Sequence, residues 1–547
     1  MGVNISPKYK GLFWIGVVLA IIVLSWIGLA QIYPEFNALQ HLPERVYRIV
    51  KTLMGGEPTA GGAPQALPWM LLLVKILVTL MILRAMLKVV EKVFHEQYTQ
   101  WRLLLRRRHL IVTGAGQRAL RIVEDYHRHS GKSAVVIAAD AQPHAAALRR
   151  DGHVPIYGDA GDMETLRMAG AARAAQVICF DDDAKDSLQV AGKLAALCAQ
   201  SGRDTPLACF IHLDNPRHVD IFRRDHLGNV DIRFFNLHKM VARHFFHQLP
   251  QYADTPLDAP LRILIFGFGH GAQALLLQGL RVFHRTAHSE WHIIVADSAA
   301  HAKRFADQYP QAQHIAPIHF HDDDGCYRAH LDTQGTDMAI IALCADDNSA
   351  RNLDIAAELL AAGGAFPIHV RHEDTLLPGQ SRERLHFFGA DAQFCTVELI
   401  TGSRQDALAR AIHADYLRES LQNGTESAHY QQPDWDNLPE DARDANRAQA
   451  DHIPYKLLLT GKWHTLGSAA LHFTREEVET LAEIEHRRWM AHRRLEGWGY
   501  GATRDDSRKQ HPSLIPWDAL SDTEKQKDRD TILRLPRIVR SKEDIGL

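Results

Sequence analysis

The chain has 547 residues, of which 46% are hydrophobic, so it is long enough for about three or four domains with cores of their own. Its formal net charge of −3 excludes a global positive field of the kind that attracts nucleic acid. Its six cysteines form no CxxC pair and all lie at or after Cys179. This usage indicates reduced thiols in a cytoplasmic region rather than a disulfide framework.

Two apolar segments near the N-terminus predict membrane-spanning helices. The first, over about 11–31, contains twenty consecutive residues without a charge, enough to cross about 30 Å of hydrocarbon as a helix. This run is too long for the apolar region of a signal peptide, and no small-x-small cleavage site follows it. The second segment, over about 67–90, is interrupted by Lys75 and Arg84.

The charges in the second segment have different expected roles. Arg84 lies near one end and can extend its stem to the lipid headgroups. Lys75 lies nearer the middle, where a charge costs about 2.5–3.5 kcal/mol on insertion scales. Lys75 either extends to the interface or faces a water-filled pore or a partner subunit, and it is therefore a candidate pore or membrane residue.

Basic residues flank the two segments on what should be the same side of the membrane. Lys8 and Lys10 precede the first segment, and Arg106–Arg108 follow the second. By the positive-inside rule we expect a multi-pass inner-membrane protein in contact with lipid, with both termini in the cytoplasm. The loop 33–66 would then lie outside, and it contains no TVGYG-type sequence, so a potassium filter is not supported.

After the basic run, short apolar strands alternate with helix-length segments, which indicates parallel α/β structure. One strand runs into Gly114 and Gly116, with Ala119 in the third small position of a G-x-G-x-x-A turn. Such a turn lets a pyrophosphate approach the backbone at a helix N-terminus. The next strand ends at Asp140, where an acid commonly holds a ribose hydroxyl. This pattern predicts a Rossmann-like nucleotide-binding domain.

The segment around this turn carries a more specific resemblance. The residues that carry it are Gly114, Gly116, Asp140, Gly158, Asp159, Asp162, Leu166, Ala169, Gly170, Ala174 and Asp181–Asp183. Over about 108–245 the chain resembles the regulator-of-potassium-conductance family, the nucleotide-binding N-terminal domain of Trk-type transport regulators. The resemblance implies binding of NAD(H) or another adenine nucleotide, with Asp159 among the binding residues. It also implies gating of transport rather than hydride transfer.

A second strand, glycine turn and helix follow about 155 residues after the first. The matching candidate binding residues are Gly267, Gly269, the small residue Ala272 and, at the end of the next strand, Asp297. We interpret this repeat as an internal duplication that gives a second Rossmann-like domain. His321 and Asp322 replace the Gly-Asp pair of the first copy, so nucleotide binding here stays open. We read His319, His321 and Asp322–Asp324 as exposed loop residues rather than metal ligands, and we predict no metal site.

Near the C-terminus a capping box predicts a long helix. Thr474 is the expected N-cap and Glu477 the N3 residue, and Gly497 is expected to end the helix. The candidate ligand residues are Glu483, His486 and Arg493 on one stripe of this helix, and Trp498 and Tyr500 just past its end. A flat aromatic surface beside a guanidinium suits a nucleobase with a phosphate. The alternative is that Trp498 and Tyr500 only pack two halves of a small domain together.

This C-terminal segment also resembles a known family. The residues that carry the resemblance are Leu481, Ala482, Glu483, His486, Trp489, Gly497, Trp498, Tyr500 and Gly501, followed by His511, Pro512, Leu514, Pro516, Leu520, Lys525, Lys527, Asp528 and Arg529. Over about 473–535 the chain closely resembles the ryanodine-receptor repeat domain. The resemblance implies a helical module with a ligand-sensing role, and it does not by itself imply a calcium channel.

The expected fold class is therefore multi-domain. The expected parts are a membrane region (1–105), two α/β doubly wound Rossmann-like domains (106–255 and 256–415), a linker (416–472) and a small, mainly α-helical domain (473–547). We expect a ligand-gated membrane protein that is channel-like or regulates transport of potassium-type cations. We expect it to be at least a homodimer, to bind a small nucleotide and no nucleic acid, and not to be an enzyme.

Two other functions stay open at this point. One is a defence effector that disrupts the membrane when a nucleotide signal appears. The other is a membrane-anchored NAD-dependent oxidoreductase. A hydride-transfer enzyme needs a substrate domain and a positioned acid or base, and the sequence carries no separate segment with such a signature.

Overall fold

The computed structural model divides the chain into two compact units, Met1–Leu105 and Arg106–Leu547. The division falls where the membrane region was expected to end. The residues that the structure describes are 19–27, 30–31, 42–53, 59–60, 63–64, 69–105, 108–139, 142–180, 184–215, 218, 225–248, 260–284, 291–321, 339–363, 366–374, 384–402, 406–423, 435–463 and 470–539.

The first unit is built around one long helix. Its elements are α1 (Leu42–Leu53), the short hairpin of β1 (Thr59–Ala60) and β2 (Ala63–Pro64), and α2 (Trp69–Leu105). Within α2 the stretch Trp69–Val89 is long and apolar enough to cross a membrane. Apolar side chains such as Ile76, 56% exposed, lie on its surface, and Lys75 is half-buried.

The two predicted spans fare differently. The second coincides with α2. The first, over about 11–31, lies partly outside the described residues, although 19–27 are helical. Among the residues that the structure describes, α2 is the one helix that meets the length and composition needed to cross a membrane.

The first Rossmann-like domain contains a seven-stranded sheet. Its strands are β3 (Leu110–Thr113), β4 (Val135–Ala138), β5 (Val154–Tyr157), β6 (Gln176–Cys179), β7 (Leu207–His212), β8 (Asp225–Leu227) and β9 (Val230–Phe235). Six strands are parallel in the order β5-β4-β3-β6-β7-β9, and β8 pairs antiparallel with β9 at the edge. The accompanying helices are α3 (Gln117–Ser130), α4 (Gln142–Arg150), α5 (Met163–Met168), α6 (Ala184–Ser201) and α7 (Leu237–Gln248).

The second Rossmann-like domain contains a six-stranded sheet in which every strand is parallel. Its strands are β10 (Leu261–Phe266), β11 (Trp291–Ala296), β12 (Ile318–His321), β13 (Ala339–Cys344), β14 (Ile368–Arg371) and β15 (Leu385–Phe388). They lie in the order β12-β11-β10-β13-β14-β15. The accompanying helices are α8 (His270–Val282), α9 (Ala299–Gln308), α10 (Ser349–Ala362), α11 (Asp391–Phe394) and α12 (Val397–Ile400).

The two sheets share one strand order, which confirms the two Rossmann-like folds predicted from the repeated sequence pattern. Parallel strands covered by helices on both faces are apolar along their whole length. Strand β3, with the sequence LIVT, is accordingly buried at all four residues. Because the strands are parallel, their carboxyl ends lie at one edge of each sheet. The glycine turns follow the first strand of each sheet and therefore lie at that edge.

The segment expected to be a polar linker is largely helical. It contains the C-terminal part of α13 (Ala407–Asn423), together with α14 (Glu440–Asp451) and α15 (Ile453–Leu459). Ile453 and Leu457 of α15 lie in one core with Leu481 and Ile532 of the C-terminal module. The composition of α14, EDARDANRAQAD, concealed this packing because the helix is buried through alanines and ion-paired side chains rather than large apolar residues.

The C-terminal module is helical, as predicted. Its elements are α16 (Arg475–Leu495), the two-residue strands β16 (Gly499–Tyr500) and β17 (Gln510–His511), and α17 (Asp522–Ile538). Both bonds of the predicted capping box between Thr474 and Glu477 are present. Helix α16 ends at Glu496, and Gly497 follows with φ +84°, as expected for a C′ glycine. Leu495 at the end of α16 is buried in the core of the second Rossmann-like domain.

Candidate functional site

The first glycine turn lies between β3 and α3, and no side chain among the residues that the structure describes caps the N-terminus of α3. Asp181–Asp183, which follow β6, lie outside those residues. Gly114 has φ +90°, and a Cβ there would lie 2.6 Å from the carbonyl oxygen of Phe180, so only glycine fits. Gly116 is the N-cap of α3, makes no side-chain capping bond and has no described atom within 4 Å of where a Cβ would lie. Ala119 is buried against the sheet. The first backbone N–H groups of α3 therefore have no capping side chain among the described residues and can donate to an anion.

The two acids predicted for this site have different outcomes. Asp140 lies outside the described residues. Asp159 is exposed just after β5, and its Oδ1 accepts a hydrogen bond of 2.8 Å from the backbone N–H of Gly161. Asp159 thus stabilises the turn at the carboxyl end of a strand, and its second oxygen remains accessible.

The second glycine turn has the same backbone but a filled helix N-terminus. Gly267 has φ +79°, and Gly269 is the N-cap of α8. The carboxylate of Asp347, which follows β13, accepts hydrogen bonds from the backbone N–H groups of His270 at 2.8 Å and Gly271 at 3.1 Å. A Cβ at Gly269 would collide with this carboxylate. Asp347 therefore occupies the position that a phosphate takes in a dinucleotide-binding turn.

Arg371, at the end of β14, holds Asp347 in this position. Its Nη1 donates to Oδ1 of Asp347 at 2.8 Å, and its Nη2 donates to Nδ1 of His238 at 2.8 Å. Arg371 is only 5% exposed. Burial raises the pKa of the Asp347 carboxyl, but the bond from Gly271 and the charge of Arg371 outweigh it and leave the pKa below its usual value.

Asp297, the acid predicted to hold a ribose in the second copy, lies at the end of β11 as expected. Its Oδ1 accepts a hydrogen bond of 2.7 Å from Nδ1 of His301 and another from the backbone N–H of Ser298. Asp297 is thus bonded to the start of its own helix, α9. In the second copy, Asp347 therefore fills the phosphate position, and Asp297, the acid predicted to hold a ribose, is hydrogen-bonded to other residues of the chain.

The carboxyl edges of the two sheets meet at a junction of charged residues. Arg118, the second residue of α3, donates to Glu373 at 2.9 Å and to Asp391 at 3.0 Å in the second domain. In the opposite direction His270, the first residue of α8, contacts Asp214 of the first domain at 3.1 Å. Asp214 and Glu373 each lie two residues past the fifth strand of their sheet, so the contacts are related by the duplication.

Asp214, His238 and His270 are close enough to resemble a metal site, with ligand atoms within 4.8 Å of one another. Nδ1 of His238 accepts from Arg371, however, so its Nε2 carries the proton and donates to Asp214 at 3.2 Å. A protonated nitrogen cannot ligate a metal. Hydrogen bonds to His238 and His270 lower the pKa of Asp214, and the bond to Asp214 raises that of His270. This cluster therefore functions as a hydrogen-bonded junction between domains.

A cleft of about 640 Å³ lies between the C-terminal module and the helices α13 and α14. Of the five predicted ligand residues, His486, Arg493 and Trp498 line it, whereas Glu483 and Tyr500 do not. Tyr500 is 61% exposed on the surface. The guanidinium of Arg493 lies 4.9 Å from the ring centre of Trp498. The predicted site is thus brought together in part.

Trp498 has two roles in the structure. It is 9% exposed and packs with Met490 of α16 and Leu514 from the second half of the module. It therefore joins the two halves and also forms part of the cleft wall. Nε2 of His486 donates to the carbonyl of Ile515 at 2.9 Å, and Nδ1 lies 3.3 Å from Asp528.

Several residues of the cleft were not predicted as site residues. Trp489 is half-buried and lines the cleft with its ring 5.0 Å from that of His511. Asp528 and Lys527 of α17 complete the wall. His511, Lys527 and Asp528 belonged to the motif that carried the family resemblance. The sequence therefore singled these residues out but did not show that they line one cleft.

Comparison with solved structures returns structures of the GsuK channel at low similarity. They include the GsuK channel (TM-score 0.39, 14% identity, 72% of this chain and 98% of that chain). They also include the GsuK channel bound to NAD (TM-score 0.38, 11% identity, 74% and 86%) and GsuK bound to ADP (TM-score 0.30, 14% identity, 72% and 97%). No curated protein matches the chain.

Two segments of the chain match known domain families. Residues 110–230, within the first Rossmann-like domain, match the TrkA-N domain. Residues 471–540, which include α16 and α17, match the RyR domain. Both family resemblances drawn from the sequence motifs are confirmed for these segments, and the chain combines a TrkA-N domain with a RyR domain.

Proposed function

We propose that the protein is a membrane-anchored sensor in which NAD(H) or another adenine nucleotide binds the first glycine turn and regulates transport of potassium-type cations. The observation that carries this proposal is the contrast between the two turns. Among the described residues no side chain caps the N-terminus of α3 at Gly116, whereas Asp347 fills the N-terminus of α8. The match of 110–230 to the TrkA-N domain supports the same assignment.

The chemistry of the first turn suits a nucleotide pyrophosphate. Backbone N–H groups at the start of α3 would donate to phosphate oxygens, and the positive end of the helix dipole favours an anion. Gly116 lets the phosphate approach the backbone closely. Asp159, at the carboxyl end of β5, offers an accessible oxygen on the same edge of the sheet. No hydride transfer is required, and we propose a binding role without catalysis.

The membrane part of the proposal rests on α2. Its stretch Trp69–Val89 would cross the bilayer, and the segment about 11–31 would supply a second span, with both termini in the cytoplasm. Two helices cannot enclose a pore alone, so we propose at least a homodimer. Lys75 would then face the other subunit or a water-filled path.

Nucleotide binding would act through the junction between the two copies. Arg118 lies two residues after Gly116 and is bonded to Glu373 and Asp391 of the second domain. A nucleotide phosphate at the first turn would attract the same guanidinium. Binding shifts the conformation of the assembly only to the extent that affinity differs between the two arrangements of this junction.

The proposal is tested with the variant Gly116→Asp. Gly116 has φ −64°, so a side chain fits, and aspartate is a favoured N-cap residue, so the fold is retained. The new carboxylate would occupy the phosphate position, as Asp347 does in the second copy. We expect NADH or ADP to raise the melting temperature of the native chain and not that of Gly116→Asp. A nucleotide-dependent rise that survives in the variant would place binding elsewhere.

A further inference from the structure

Three charged side chains are buried together between α15 and α16 in an unbalanced arrangement. Lys456 is 0% exposed, and Glu485 and Arg488 are each 3% exposed. Nζ of Lys456 donates to Oε2 of Glu485 at 2.6 Å, and Nη2 of Arg488 donates to Oε1 at 2.9 Å. One carboxylate therefore serves two basic side chains, and the group has one excess positive charge when both are protonated. Burial lowers the pKa of Lys456, whereas a guanidinium stays charged.

The groups nearest to this cluster compensate the excess poorly. Burial lowers the pKa of His452 to about 4, so its ring adds no charge at neutral pH. The Asp528 carboxyl, whose pKa burial raises, lies 3.3 Å from Nδ1 of His486. Nη1 of Arg488 is buried without a hydrogen-bond partner among the described residues. An unpaired buried donor on a cation is costly, which calls for an anionic partner.

Arg488 and Glu485 line a cavity of about 540 Å³ that lies between α13, α14, α16 and α17. We call it the inner cavity. It adjoins the 640 Å³ cleft, with Trp489, Arg493 and Lys527 in the walls of both. Cavities of this size hold small organic ligands. The wall from α13 and α14 lies outside the segment that matches the RyR domain.

Other acids of the inner cavity are already bonded to neighbouring side chains. Asp415 accepts from Arg418 at 2.9 Å. Glu419 accepts from Arg534, and Asp530 accepts from Gln526 at 2.7 Å. Donors in the wall of the inner cavity include the buried Nη1 of Arg488, the buried Nε of Arg493 and the largely exposed ammonium of Lys527, which also donates to Glu524.

We propose that the inner cavity binds the oxyanion of a small ligand, a phosphate or carboxylate, with Arg488 as its buried partner, Lys527 at the opening and Trp489 beside any attached ring. A guanidinium matches the geometry of both oxyanions. The site is separate from the glycine turn of the first Rossmann-like domain, and it stands or falls independently of nucleotide binding there.

The test uses the full chain in mild detergent with the Gly116→Asp substitution, which blocks the first turn. Hydrogen exchange of peptides from α16 is followed in inorganic phosphate, in acetate and in chloride at equal ionic strength. We expect slower exchange in phosphate or acetate than in chloride. Protection by phosphate alone identifies a phosphate ligand, and equal protection by acetate identifies a general oxyanion site. Equal exchange in all three salts would overturn the proposal.

Arg488→Met separates a ligand-binding role from a structural one. The variant removes the excess charge and leaves Lys456 paired with Glu485, so the melting temperature without oxyanion should stay the same or rise. The oxyanion concentration that gives half-maximal protection of α16 should rise at least about tenfold in this variant. A lower melting temperature with protection retained would show that Arg488 is structural and would overturn the proposal.

A matched pair on α17 provides a second measurement if Arg488→Met does not fold. Lys527→Gln should weaken protection by at least about threefold, since it removes a charged donor at the opening. Arg529→Gln changes the same charge on the same helix, but Arg529 donates to Glu479 at 2.7 Å and lines neither cavity. Equal effects of the two substitutions would indicate a diffuse surface effect and contradict the site.

Discussion

Arg371 donates a 2.8 Å hydrogen bond to Asp347 and so fixes a carboxylate of the chain at the N-terminus of α8. The same guanidinium contacts His238, which follows the last strand of the first sheet. The anion position of the second glycine turn is therefore part of the contact between the two copies. The chain itself closes the second turn with Asp347, whereas no side chain among the described residues closes the first.

Asp347→Ala should open the second turn. Loss of the capping carboxylate leaves the N–H groups of His270 and Gly271 and one face of Arg371 without their acceptor, which should cost about 1–3 kcal/mol. We expect faster hydrogen exchange at the start of α8. We also expect a second ADP-binding event in calorimetry, in addition to that at Gly116. Asp347→Asn, which retains a capping acceptor, is the control and should bind no second ADP.

The His270–Asp214 contact should make the junction sensitive to pH. The bond to Asp214 raises the pKa of His270 above its unfolded value of about 6.5. Its stabilising contribution is therefore fully present below about pH 6.5 and is lost as pH rises through the folded pKa. His238 faces the same carboxylate, but burial lowers its pKa.

Hydrogen exchange in α8, corrected for intrinsic rates, should accordingly be faster at pH 8 than at pH 6. His270→Gln keeps a polar side chain without a titrating proton and should remove this difference. A difference that persists in His270→Gln would assign the pH dependence to another group.

Trp498→Ala should destabilise the C-terminal module. Trp498 is 9% exposed and packs against Met490 and Leu514, so truncation should cost about 3–5 kcal/mol. Tyr500→Ala should change stability by no more than about 0.5 kcal/mol, because the side chain is 61% exposed. The free energy of opening from hydrogen exchange of α16 and α17 peptides in the full chain measures both. Equal losses in the two variants would argue against Trp498 as the residue that joins the halves.

The proposed topology is tested by cysteine labelling in intact cells with a membrane-impermeant reagent. A cysteine at position 62 (Gly62→Cys) should be modified from outside, because the loop 33–66 is expected there. Lys542→Cys should be spared until the membrane is permeabilised, because the C-terminus is expected in the cytoplasm. The reverse pattern would show that the basic flanks do not set the orientation.

Local sequence signals predicted local structure well. Gly114 and Gly267 were placed in glycine turns, and both have the positive φ that such turns require. Thr474 and Glu477 were predicted as a capping box, and both of its bonds are present. Each of these signals lies within a few residues of the structure that it determines, so spacing alone reveals it.

Contacts between distant parts of the chain escaped prediction. Asp347 was not predicted as a site residue because the amides that it caps lie 76 and 77 positions away. Glu485 was not predicted to be part of a buried cluster because its partner Lys456 is 29 positions away. Tyr500 was placed in the cleft because it follows Trp498 closely, but the two side chains diverge. Side-chain direction beyond a helix end is set by tertiary packing.

The core that α15 shares with the RyR-matched helices shows that the C-terminal folding unit extends beyond the family match. Ile453 and Leu457 are fully buried with Leu481 and Ile532, although they precede the family match at 471. An excised segment that begins at 471 would expose this surface to water and be prone to aggregation. Leu408 and Ile412 of α13 belong to the same core. The part of the chain that could be transferred to another protein with its core intact therefore begins near residue 407.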